Sequence, residues 1–192
     1  MRGVLRIVGV VVLCGVLGSC ATGRPPTDIN SVCEIFDDRP SWRRAAVASE
    51  ARWGAPVPVT MAIIWHESKF VSDARPPRTF FLGIPTGRRS SAFGYSQALD
   101  GTWDDYRRAT RRFGADRDDF DDAIDFVGWY MRRTQRINGV SMTDARSQYL
   151  AYHEGHGGYR RGSWRSKGWL QNVASGVSRQ AQRYAAQWRR CR

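Results

Sequence analysis

The sequence predicts an all-α fold, and three observations carry that reading. Apolar residues recur at helical spacing in segment after segment, capping and stop residues bracket those segments, and no stretch alternates convincingly as a strand should. Ser41 can cap a first helix whose apolar positions are Trp42, Ala45, Ala46 and Trp53, with Gly54 to stop it. Pro58 suits the first turn of a second, in which Met61, Ile64 and Trp65 share a face before the chain reaches His66-Glu67-Ser68. A Pro/Gly-rich stretch from Arg75 to Ser91 follows, too irregular for a helix and read as a long loop. Asp100 can cap the segment of Trp103 and Tyr106. Phe120, Ile124, Val127 and Met131 then form an amphipathic stripe. Met142, Ala145, Tyr149 and Tyr152 form another, with Ser141 and Asp144 resembling a capping box. The last helix carries Trp169, Val173, Val177, Tyr184 and Trp188 on one side.

The N-terminus reads as an export signal. Arg2 and Arg6 precede an apolar run from Ile7 to Leu17, too short for a permanent span of about 20 residues. Leu17-Gly18-Ser19-Cys20 resembles a bacterial lipoprotein cleavage box, which implies acylation of Cys20 and a lipid anchor in a membrane. Ala21, in place of the Asp that resembles an inner-membrane retention signal, implies the periplasmic face of an outer membrane. The organisation expected is a leader over 1–19, a lipidated tether over 20–32 containing Arg24-Pro25-Pro26, and one domain over 33–192. Cys14 leaves with the leader and Cys20 takes lipid. Cys33 and Cys191 remain, at the two ends of the domain and in an oxidising compartment, and are expected to form a disulfide.

A formal charge of +12, carried almost wholly by Arg, suits a polyanionic partner. Export argues against nucleic acid and for an envelope polymer.

The candidate chemistry centres on Glu67. An acid that protonates a glycosidic oxygen must keep its proton near neutral pH, and a Glu at the end of an apolar helix can do so through desolvation. Two further segments stand out. Ser91-Ala92-Phe93-Gly94-Tyr95-Ser96-Gln97 offers a glycine where a sugar could approach backbone, beside an amide. Ala151-Tyr152-His153-Glu154-Gly155-His156 offers a phenol and an imidazole where a helix is expected to end in a glycine-rich turn.

The order of these segments resembles the goose-lysozyme-like lytic transglycosylases, whose catalytic domain is that of the soluble lytic transglycosylases. The resemblance runs over roughly residues 55–160: Glu67-Ser68, then Ala92-x-Gly94-x-x-Gln97 with Gly101-Thr102-Trp103, then Ala151-Tyr152-His153. It implies a lysozyme-like helical domain with a glycan groove, acting on peptidoglycan strands without metal or organic cofactor. Glu67 would be the single acid/base and Ser68 would help place substrate. Gly94, Tyr95, Gln97 and His153 would face the glycan, and the Tyr152 hydroxyl would orient the Glu67 carboxyl. The chain departs from the family pattern in His153, where Asn is usual, and in Tyr95-Ser96, where Leu-Met is usual. It also departs in the length between the first two motifs, which reads as an added aromatic, basic flap at the groove.

Other readings use the same residues differently. A hydrolytic muramidase would need a second carboxylate, for which Asp73 and Glu154 are available. A zinc hydrolase would draw on His66, His153 and His156, but the HExxH spacing is absent. An inactive peptidoglycan-binding lipoprotein would keep the groove alone.

Overall fold

The structure, a computed structural model, describes residues 24–191. The leader and Cys20 lie outside the described residues. Within them the chain forms seven helices and one hairpin: α1 (Val32–Asp38), α2 (Pro40–Trp53), α3 (Val57–Ser68), β1 (Arg78–Phe81), β2 (Ile84–Arg88), α4 (Asp100–Thr110), α5 (Phe120–Asn138), α6 (Ala145–Arg161) and α7 (Gly168–Cys191). Among these residues no helix is long and apolar enough to cross a membrane.

The centre of the fold is α3. Met61, Ala62, Ile63 and Ile64 are consecutive and all fully buried, so this helix is apolar all round and has neighbours on every side. It packs on α2, α5 and α7. Each of its large apolar side chains contributes roughly 1.5–3 kcal/mol by burial. The flanking helices are amphipathic and start and stop as their sequences dictate. Asp119 caps α5 by accepting from the Asp122 amide, Asp144 caps α6 by accepting from Ser147, and Gly54 and Gly139 end α2 and α5 in the left-handed conformation. The cap of α2 is Arg39, not Ser41, because Pro40 already occupies its first turn.

Two polar devices fasten this frame. Asp125 on α5 is buried and accepts from Trp53 Nε1 (2.8 Å), the Tyr106 hydroxyl (2.8 Å) and Arg52 (3.1 Å), with Arg112 at 3.2 Å. That one carboxylate joins α2, α4 and α5. At the other end Cys33 and Cys191 form the expected disulfide, Cα atoms 5.9 Å apart and 158 residues apart in sequence. By the chain-entropy account, closing so long a loop contributes up to about 5 kcal/mol.

α1 is an element that the sequence does not predict. Val32 donates to Gln187 Oε1 (2.9 Å), Gln187 donates back to the Asn30 carbonyl (3.2 Å), and the Tyr184 hydroxyl donates to Ile29. Residues 29–32, assigned to the tether, are therefore bound to α7. The long loop also differs from expectation: within Arg75 to Ser91 lies the antiparallel pair β1–β2, almost entirely exposed. α6 does not end at its glycines either. It breaks at Gly155 (φ 72°, ψ 158°), which only glycine adopts readily, and continues to Arg161.

Candidate active site

Glu67 sits in the last turn of α3, where the chain leaves the core. Lys69 then takes a left-handed conformation (φ 53°) and turns the backbone away. Burial comes first among the causes acting on the Glu67 carboxyl and raises it. A hydrogen bond from Tyr149 and the charge of Lys69 pull the other way, and the balance is a pKa of about 7. The carboxyl therefore holds its proton over a substantial part of its population at neutral pH.

The groups around Glu67 only partly offset the effect of burial. Tyr149 and Tyr152 stand one helical turn apart on one face of α6, and both phenols are pushed upward, by burial first and by the Glu67 charge next. Both remain protonated donors. His66 is held down to about 4 by burial, then by the charges of Lys69 and His153, so it is a neutral imidazole, edge-on to Tyr149 at 5.1 Å. The Lys69 ammonium lies 3.4 Å from the centre of the Trp65 ring, and burial lowers its pKa while Glu67 raises it.

The expected partners of Glu67 are rearranged. The Tyr152 hydroxyl donates to the Ser96 carbonyl at 2.6 Å, and the Glu67 carboxyl is bonded by Tyr149 instead. Tyr152 thus ties α6 to the second motif, while the Tyr149 hydroxyl is the one whose hydrogen bond lowers the Glu67 carboxyl. Ser68 is buried and returns its hydroxyl to the Ile64 carbonyl at 3.3 Å, within its own helix. Its hydroxyl proton is used within α3.

The second motif is built from bonds that hold its own loop. A Cβ on Gly94 (φ 75°) would lie 2.0 Å from the Arg117 carbonyl oxygen, so glycine is required by the chain that crosses it. Gln97 donates to the Ala74 and Gly94 carbonyls, both at 2.8 Å, and lines a cavity of about 220 Å³ with Tyr152 and His153. Tyr95 is the clearest correction. It is buried edge-on against Trp42 and Phe120, where it belongs to the core and to a separate cavity lined by Asp116, Asp118 and Asp119. Its ring turns inward because it packs on Trp42 of α2 and Phe120 of α5.

His153 is exposed at the mouth of the 220 Å³ cavity, edge-on to Trp169 at 5.2 Å and bonded to Glu154 at 3.0 Å. Glu154 behaves unlike Glu67. Burial raises it, but bonds from Lys167 (2.8 Å), Ser163 and His153 lower it more, to about 2. Asp73 is exposed. His156 stacks on Tyr130 at 4.4 Å and bonds Thr134. Among the described residues no three His, Cys, Asp or Glu side chains are grouped to hold a metal ion.

Sequence reasoning missed Tyr149, Lys69 and Trp169. Tyr149 was legible as a neighbour of Tyr152, since residues three apart on a helix share a face. Both tyrosines fall on the apolar stripe, so periodicity alone does not separate them.

A helical domain with one buried, protonated carboxyl at a helix end, opposite two phenols, is the kind of site that delivers a proton to a leaving oxygen. The family described as a transglycosylase SLT domain matches residues 8–191, and the chain belongs to that family. Its catalytic domain is that of a lytic transglycosylase acting on peptidoglycan. A search of curated proteins finds no match.

Proposed function

We propose that this chain cleaves the bond between N-acetylmuramic acid and N-acetylglucosamine and leaves 1,6-anhydromuramic ends. The observation that carries the reading is a single carboxyl, Glu67, raised to about 7, with no second carboxyl beside it in the same state. The Glu67 proton passes to the glycosidic oxygen as the bond to the muramic anomeric carbon breaks. The substrate's N-acetyl oxygen captures that carbon. The Glu67 carboxylate then removes the proton of the muramic 6-hydroxyl, whose oxygen displaces the N-acetyl oxygen and closes the anhydro ring. The proton returns to Glu67, and neither water nor a cofactor enters the balance. Mass spectrometry of digested peptidoglycan tests this: anhydro ends are expected, and reducing ends would replace the reading by a hydrolytic one. Glu154 is ionised and lines the same cavity as Tyr152, so it is the residue that reading would invoke. An unchanged substrate would leave a peptidoglycan-binding role.

The setting we propose is an acylated Cys20 at the periplasmic face of an outer membrane. Cys20→Ala should leave an unprocessed or soluble periplasmic form, and a mature size unaffected by inhibition of lipoprotein processing would remove the anchor.

A further inference from the structure

We infer that the β1–β2 hairpin is a membrane-inserting tip that binds anionic phospholipid surfaces. It rests on the placement of apolar and cationic side chains along the hairpin. Phe80, Phe81, Leu82 and Ile84 are 62, 68, 87 and 67 % exposed, the largest cluster of bare apolar side chains among the described residues. Leu82 and Gly83 form the two-residue turn, both at positive φ (48° and 81°). An aliphatic side chain at that position is disfavoured by its backbone and by water alike, which marks it as kept for another medium.

The geometry favours insertion over docking against one flat partner. Phe80 and Phe81 are successive strand residues and point to opposite faces, yet both are bare. A glycan strand or a protein face would cover one side of the hairpin and leave the other wet. A lipid interface surrounds the tip and covers both. Sugar recognition would also need free polar groups, and the two hydroxyls here, Thr79 and Thr86, bond each other at 3.1 Å.

The charges fit a lipid surface. From Ala74 to Leu99 the chain has no Asp or Glu, while Arg75, Arg78, Arg88 and Arg89 gather at the base of the hairpin. Arg78 and Arg88 face each other across the last rung. Arg78 lies four residues from Leu82, about 13 Å at the strand rise, and Arg88 is its cross-strand partner, which places guanidinium groups at headgroup level when the tip is buried by roughly 5–10 Å. Arg24 and Ser72 line one cavity, so the N-terminal chain and the chain entering the hairpin lie on the same side of the domain. An acyl anchor there and an inserted hairpin would face the same membrane, although the hairpin needs no acyl chain to bind.

The test is hydrogen exchange on the full chain, with vesicles of phosphatidylcholine alone or with a quarter phosphatidylglycerol. Amides of residues 78–88 should exchange several-fold more slowly with the anionic vesicles than with the neutral ones, and high salt should abolish the difference. In Leu82→Ser/Ile84→Ser, whose changes are fully solvent-facing, that protection should disappear while exchange elsewhere stays unchanged. Equal exchange with and without anionic vesicles would overturn the inference. So would protection by soluble peptidoglycan fragments without lipid, which would make the hairpin a wall of the glycan groove. Protection that grows with protein concentration in the absence of lipid would overturn it in favour of a second copy of the chain.

Discussion

Glu67 and Glu154 are the same side chain, each near Tyr152, and the fold gives them opposite properties. Both are raised by burial. Glu67 receives only Tyr149 and the partial help of Lys69, and it rests at about 7. Glu154 receives Lys167, Ser163 and His153, and it falls to about 2. Glu67 is the more deeply buried and has few donors, while Glu154 is shallower and has three. A carboxylate given three donors becomes a fixed anion that joins the first half of α6 to the turn before α7, while a carboxyl given few remains an acid. A site needs the second kind, and the fold needs the first.

The largest expected effect breaks the comparison at Glu67. Glu67→Gln keeps shape and hydrogen bonding but carries no exchangeable acid proton, so cleavage should fall by about 10²–10⁴-fold with the fold and glycan binding retained. Activity close to wild type would end the assignment.

The next prediction concerns stability against pH, where the two residues have opposite signs. Glu67 binds its proton more tightly folded than unfolded, so its contribution is present below about 4.5 and is lost as pH rises to about 7. Glu154 binds its proton less tightly folded, so its contribution is present above about 4.5 and is lost as pH falls through about 2. Each is worth on the order of 3 kcal/mol. Denaturant unfolding at pH 8 should therefore find Glu67→Gln more stable than wild type, because the acid is kept at a cost to the fold. A loss of stability at that pH would count against a raised Glu67.

Glu154→Gln should act the other way. Removing its charge leaves Lys167 without its partner and costs roughly 1–3 kcal/mol, read as a lower Tm, while products keep the same chemical ends. If cleavage disappeared while the fold remained, Glu154 would be a second catalytic carboxylate.

The smallest effect sharpens the first. Tyr149→Phe removes the donor that lowers Glu67, so the alkaline limb of the pH–rate profile should move upward and the rate should fall about tenfold through lost orientation. Tyr152→Phe loses the Ser96 bond and should leave that limb in place. The reverse pattern would return the positioning role to Tyr152.

The helices were legible because long apolar stripes and their caps are local signals. Phe120 to Met131 and the Asp119 and Gly139 ends of α5 are examples. α1 was not, since seven residues with one short stripe look like a tether until α7 is seen to bond them. The hairpin was hidden by its bulge at Thr79/Phe80 and by strands that bury neither face, which removes the period of two. At the site, Glu67 could be read from an apolar helix ending in an acid. Tyr95 could not, because whether a loop residue turns to a groove or to the core depends on Arg117, Trp42 and Phe120, all distant in sequence. The Tyr152 bond was hidden for the same reason, since it rests on where the Ser96 carbonyl lies.

The chain contains only four glutamates, Glu34, Glu50, Glu67 and Glu154, which makes the contrast directly measurable. Carboxyl carbon NMR of the protein labelled at glutamate δ-carbons, titrated against pH, should resolve one resonance with a midpoint near 7 and one near 2. The first should be missing in Glu67→Gln and the second in Glu154→Gln. A Glu67 resonance that titrates near 4.5, as a solvated carboxyl does, would contradict the account at its centre.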